Sequence, residues 1–254
     1  MILALDAGNT NIVLGCLENN NIILQSRVAT DLSRTEHQYA IEFKSMLDLD
    51  DIDINDISGC IMSSVVPPLI IILKKAIQMI TGKSPMVIGP GIKTGLNILL
   101  DNPAQLGSDQ VVDAVAALQK YKPPMIIFDM GTATTVSVID KKSNYTGGMI
   151  LPGIKISQES LTSRTSQLPK ISLEAPKKVV STNTIDCMKS GAIFGNAAML
   201  DGIIDRIEAE IGEKATVIAT GGLAGVIVPY CNRKIIYDDT LLLRGLKIIY
   251  DKNK

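Results

Sequence analysis

The chain has 254 residues, of which 46% are hydrophobic and 20% charged, with a formal net charge of −1. That length suits one large domain or two of about 100–150 residues each, and the composition is that of a folded soluble protein. The near-neutral charge argues against nucleic acid or an anionic membrane as partner, and one histidine with four cysteines in no C-x-x-C pair argues against a zinc site.

ILALD (2–6) and NIVLGCLE (11–18) read as two strands around a turn. A second turn over Asn19–Asn21 leads into a third strand. Ser33 to Glu36 reads as a capping box ahead of an amphipathic helix, with His37 on its surface. GCIMSSVVPP reads as a buried strand entering a helix over 67–80, started by Pro67 and Pro68. This most hydrophobic stretch is too short to span a membrane and carries Lys74 and Lys75 in its middle. PMVIG (85–89) is a further short strand. GSDQVVDAVAALQKY (107–121) predicts a helix capped by Ser108 or Asp109, with Val111, Val112, Val115, Ala116 and Leu118 as its apolar face.

The second half repeats part of this order. MIIFD (125–129) and TVSVID (135–140) form a strand pair, and NYTGGMILPG (144–153) adds a third strand. A helix is expected over 187–212, with Gly191 and Gly195 as close-packing points. ATVIATGGL (215–223) is a buried strand ending in a glycine turn, and residues 239–252 form a closing helix. Residues 169–184 read as a loop. Consecutive antiparallel strands at the start of each half argue against a simple doubly wound sheet and for a duplicated α/β fold with a cleft between its halves. Cys16, Cys60 and Cys187 read as packing residues, and the N-terminus carries no basic, cleavable leader, so a cytoplasmic setting is expected.

Both halves place an Asp at a strand end, followed by a glycine turn. In D-A-G-N-T, Asp6 precedes Gly8, Asn9 and Thr10; in D-M-G-T-A-T-T, Asp129 precedes Gly131, Thr132, Thr134 and Thr135. Glycine lets the backbone approach a ligand, and the turn amides and hydroxyls donate to phosphate oxygens. A lone D-x-G is equally a hairpin turn. Two of them, each after an apolar strand and with TGGL later, favour two hands on one triphosphate, the Asp residues holding cations directly or through water. GPGIKTG (89–95) is not a phosphate-binding P-loop, because Ile92 stands where that motif needs Gly. Asp109, at a helix start, reads first as a cap; the helix N-terminus is expected to lower its pKa and leave a modest base.

The series D-x-G-N-T-N (6–11), SSVVPP (63–68), GPGIKTGL (89–96), G-x-D (107–109), D-x-G-T-A-T-T (129–135), GG-x-I-x-PG (147–153) and ATGGL (219–223) resembles the type III pantothenate kinase family, also labelled Bvg accessory factor-like. The resemblance implies two ribonuclease-H-like domains of the acetate-and-sugar-kinase, Hsp70 and actin class, 1–118 and 119–254, each with a mixed sheet and with the nucleotide cleft between them. It implies ATP-dependent phosphorylation of pantothenate, the first step of coenzyme A biosynthesis, by a homodimer using Mg2+ and a monovalent cation, K+ or NH4+. Carried over by position, Asp6, Ala7, Gly8, Asn9, Thr10, Asn11, Ile12 and Val13 would form the first phosphate loop, with Asp6 holding magnesium through water. Thr132 would contact ATP, Asp129 would bind the monovalent cation, and Asp109 would be the catalytic base. Leu100, Gly107, Ser108, Asp109, Gln110 and Thr184 would line the pantothenate site. The chain departs from the family pattern at Gln110, where Arg is usual, and at Leu100, where Tyr is usual. Replacing Arg by Gln removes a fixed charge opposite the substrate carboxylate, a loss of about 1.5–3 kcal/mol. These departures keep alternatives open: a kinase for a related acceptor, a nucleotide-binding regulatory paralogue, or a phosphohydrolase.

Overall fold

The computed structural model describes residues 1–19 and 21–254, so the turn expected over Asn19–Asn21 lies partly outside the described residues. The first half runs β1 (Ile2–Ala7), β2 (Asn11–Glu18), β3 (Asn21–Ala29), α1 (Glu36–Leu49), β4 (Gly59–Ser64), α2 (Pro67–Thr81), β5 (Met86–Val87), β6 (Asn97–Ile98) and α3 (Ser108–Lys120). The second runs β7 (Met125–Met130), β8 (Ala133–Ile139), β9 (Asn144–Pro152), α4 (Ile154–Arg164), α5 (Thr184–Ser190), α6 (Asn196–Ile211), β10 (Thr216–Thr220), α7 (Ala224–Ile227), β11 (Ile236–Tyr237) and α8 (Leu241–Lys252).

Two compact units result. Unit 1 comprises Met1–Gly95, Asn102–Gln119 and Thr240–Lys254; unit 2 comprises Leu96–Asp101 and Lys120–Asp239. The chain passes from unit 1 to unit 2 at 119/120, while β6 lies in unit 2 and α8 in unit 1. Each unit holds one mixed sheet. In unit 1 the strand order is β3-β2-β1-β4-β5, and in unit 2 it is β11-β10-β7-β8-β9-β6. Pairs β1/β2, β2/β3, β7/β8 and β8/β9 are antiparallel, whereas β1/β4, β4/β5, β7/β10 and β10/β11 are parallel. Read outward from its first strand, each sheet therefore has the same connectivity, with β6 added beside β9 in unit 2.

Leu3, Leu5, Leu14, Tyr39, Phe43, Leu73 and Ile77 centre the core of unit 1; Ile126, Phe128, Leu200, Ile204 and Ala219 centre that of unit 2. Helix α1 begins two residues later than its expected capping box. Thr35 is the cap: its N–H donates to Gln38 Oε1 at 2.8 Å, and its Oγ1 accepts from Gln38 N–H at 3.5 Å. Ser33 turns to Asp31 instead, its N–H and Oγ both donating to Asp31 Oδ1, at 2.9 and 2.6 Å. Helices α5 and α6 are joined by a π-helical turn over Gly191–Gly195. A Cβ added at Gly191 or Gly195 would meet nothing within 4 Å, so neither glycine is the close-packing point expected. Cys187 also departs from expectation: it is exposed, its Sγ donating to Ser181 O at 3.4 Å.

Helix α8 docks on α3. A Cβ added at Gly245 would stand 2.1 Å from Val112 O, a backbone atom that cannot swing aside. Gly245→Ala should therefore destabilise the protein by about 1–3 kcal/mol through overpacking, lowering the midpoint of urea unfolding. An unchanged midpoint would mean that this helix contact relaxes without cost.

Candidate active site

Unit 1 closes its first strand on a carboxylate. Asp6 stands in register with Val13 of β2 and Ser63 of β4. The chain then reverses tightly. Gly8 N–H donates to Asn11 O at 3.0 Å, and Thr30 clasps the turn, with Oγ1 donating to Gly8 O at 2.6 Å and N–H to Thr10 O at 3.0 Å. Asn9, Thr10 and Asn11 are exposed and Gly8 and Val13 half-buried, whereas Ala7 and Ile12 lie in the core. Ala7 and Ile12 can thus offer a ligand only their backbone.

The same unit carries a second carboxylate at the start of α3. Gly107 O accepts Val111 N–H at 3.1 Å, which makes Gly107 the cap and sets Ser108 and Asp109 inside the first turn, not at the capping position expected for them. Asp109 Oδ1 accepts from Gln110 N–H at 2.8 Å. Burial nevertheless pushes the Asp109 carboxyl above its ordinary value, opposing the lowering by Gln110 N–H and its own. The depression expected from the helix N-terminus is overturned, because loss of hydration outweighs the amides. One turn further, Asp113 is also buried. The only trace of it in the sequence is a charge inside the apolar run VVDAVAAL.

In unit 2, Asp129 is half-buried near the end of β7, in register with Thr135 of β8 and Thr220 of β10. The turn continues with Gly131 N–H donating to Ala133 O at 3.0 Å. Two glycines let other segments close on it. A Cβ at Gly221, where φ is 89°, would lie 2.4 Å from Asp129 Oδ1 and 2.6 Å from Met130 N. One at Gly153 would lie 2.1 Å from Thr132 O. Thr132 and Thr135 are half-buried, but strand alternation turns Thr134 fully inward, so it does not supply the hydroxyl expected of it. Leu100 is half-buried just beyond β6, and Thr184 is exposed at the start of α5, next to its cap Asn183.

A cavity of about 460 Å³ in unit 2 escaped sequence reasoning. One face of α4 lines it with Lys155, Gln158 and Thr162, opposite Ile171, Leu173 and Leu223. Gln158 Oε1 is screened from solvent with no hydrogen-bond partner among the described residues. Both walls begin at the Asp129 turn: Gly153 caps α4, and Leu223 N–H donates to Met130 O at 3.2 Å. IKISQESLTSR has no apolar period to announce a helix, which is why α4 was not foreseen.

A family model described as type III pantothenate kinase matches residues 2–206. The type III pantothenate kinase of Exiguobacterium sp. strain AT1b is 46% identical over 254 residues, covering 100% of both chains. That of Halalkalibacterium halodurans is 46% identical over 253 residues, again covering 100% of both. The solved structure of a conserved Baf family protein from Campylobacter jejuni superposes with a TM-score of 0.62 at 21% identity, covering 99% of this chain and 98% of that one, which speaks to the fold alone. Two mixed sheets of one connectivity, an Asp-turn in each, and full-length relatives of one name lead to one conclusion: the chain belongs to the type III pantothenate kinase family.

Proposed function

We propose that the chain transfers the γ-phosphoryl group of ATP to a hydroxyl of pantothenate, giving 4′-phosphopantothenate for coenzyme A biosynthesis, with Asp109 as the base. The observation that carries the residue assignment is the half-buried Asp109 carboxyl in the first turn of α3, raised above its ordinary value by burial. Such a carboxylate is a better proton acceptor than an ordinary aspartate, and phosphoryl transfer asks more for alignment than for strong basicity. The acceptor O–H proton passes to Asp109, its oxygen bonds to the γ-phosphorus, and the bond to the β,γ-bridging oxygen breaks with its electron pair leaving on ADP.

The exposed turn Asn9–Asn11 and the half-buried Thr132 suit phosphate oxygens. Asp6 would hold Mg2+ through water; the bound ion neutralises charge on the β- and γ-phosphates. The donors fit, since Mg2+ keeps several waters and takes one or two carboxylates, and Asp6 supplies one near the end of β1. Asp129, a half-buried carboxylate near the end of β7, would suit K+ or NH4+. The cavity beside α4 suits the nucleoside, the Gln158 amide matching the donor and acceptor edge of adenine. Gly107, Ser108, Gln110, Leu100 and Thr184 are assigned to pantothenate by position in the family pattern. Four free cysteines suit a reducing, cytoplasmic setting. A homodimer is proposed from the family resemblance. No observation favours a regulatory paralogue beyond Gln110 and Leu100 themselves.

Asp109→Asn should lower kcat by about 10²–10⁴-fold in a coupled ADP-release assay while ATP still binds; full activity would remove Asp109 as base. In the wild type, kcat should fall as pH drops through a pKa above the ordinary aspartate range of about 4. The sign for stability is the reverse: ionising a carboxyl whose folded pKa is raised disfavours the fold as pH rises, so Asp109→Asn should melt no lower than wild type at neutral pH. Gln110→Arg should lower the KM for pantothenate by roughly tenfold or more with kcat little changed, if a missing charge is the only defect of the acceptor site. Gly221→Ala, by driving a methyl into Asp129, should cut kcat/KM for ATP by at least about tenfold. Unaltered kinetics there would take Asp129 out of the nucleotide site.

A further inference from the structure

We infer that Ser63 and Ser108 form a hydroxyl relay that orients Asp109, making both of them positioning residues for proton transfer; this rests on the reading of Asp109 as the base. Ser63 is fully buried at the end of β4, held by the strand ladder in register with Asp6. Its Oγ–H donates to Ser108 Oγ at 2.9 Å, and Ser108 Oγ–H donates onward to Ser64 O at 3.2 Å. Ser108 Oγ thus accepts one hydrogen bond from β4 and returns one to it. These two bonds fasten the first residue of α3 to a rigid strand, and Asp109 is the next residue along.

The fastening matters because the first turn of a helix is where its own ladder is weakest: the leading N–H groups have no intrahelical acceptor. Without the relay, α3 is free to fray at its start and carry Asp109 with it. The carboxylate has little slack. Its Oδ1 is bonded to Gln110 N–H at 2.8 Å and leans over Gly107, where an added Cβ would stand 2.4 Å away. The position that loses hydration is therefore set by how α3 begins, and the start of α3 is set by the two serines. A loosened start admits water to the carboxyl and brings its pKa down toward the ordinary value.

The test measures kcat against pH, with pantothenate and ATP saturating, for wild type, Ser63→Ala, Ser108→Ala and Ser108→Thr, with thermal melting on the same preparations. Both alanine variants are expected to lose about tenfold in kcat. The acid limb of the profile should move to lower pH, the KM for ATP should hold within about twofold, and Ser108→Thr, which keeps the hydroxyl, should return the acid limb toward its wild-type position. A purely structural role would lower the melting temperature and the active fraction but leave the acid limb in place; that outcome, or wild-type kcat in Ser108→Ala, overturns the relay. Should Ser63→Ala fail to fold, the half-buried Ser108 pair decides alone. Activity in Asp109→Asn would instead overturn the base itself, so the two failures are distinguishable.

Discussion

Parallel pairing in register governs the rest of the architecture. β1 and β4 run the same way and end together, as do β7 and β10, so the last residues of neighbouring strands present their side chains at one edge of each sheet. In unit 1 this sets Ser63 beside Asp6; in unit 2 it sets Thr220 beside Asp129. Carboxyl ends of parallel strands are where open α/β sheets receive ligands, because loops and helix starts converge there. The antiparallel partner returns from the same end through a tight turn. One arrangement, a carboxylate, a neighbouring hydroxyl and a tight reversal, is thus built twice by one connectivity.

Most of this arrangement is legible in the residues. Apolar runs ending in Asp, then Gly and small polar residues, specify a strand and a hairpin whatever the rest of the chain does, and both hairpins form. Competition between equivalent local signals is harder to read. Ser33-Glu36 and Thr35-Gln38 satisfy the same capping pattern, and only the engagement of Ser33 by Asp31 decides between them. Helix α4 is hidden for another reason: only Ile154 of it is buried, so no apolar stripe marks it in the sequence.

The candidate site was legible as identity but not as electrostatics. The place of Asp109 at a helix start could be read from G-S-D-Q followed by an apolar stripe. Whether its carboxyl moves up or down depends on how much water the folded chain leaves it, and no local pattern encodes that. Thr134 shows the same limit: the three threonines of G-T-A-T-T all look like phosphate donors until the pleat turns one of them inward. Gln158 lay outside any motif, and only the folded chain brings it to the cavity wall.

The return of α8 to unit 1 has a consequence for how the protein is made. Residues 120–239 of unit 2 leave the ribosome after α3 and before α8. At rates of about 5–20 residues per second, the face of α3 that Gly245 later covers stays open for on the order of ten seconds. The helix that carries Asp109 is therefore translated before residues 120–239 of unit 2 and finishes packing only after them. A polypeptide stalled inside unit 2 would hold that apolar face open, which makes it a target for chaperones and proteases before it has any catalytic competence.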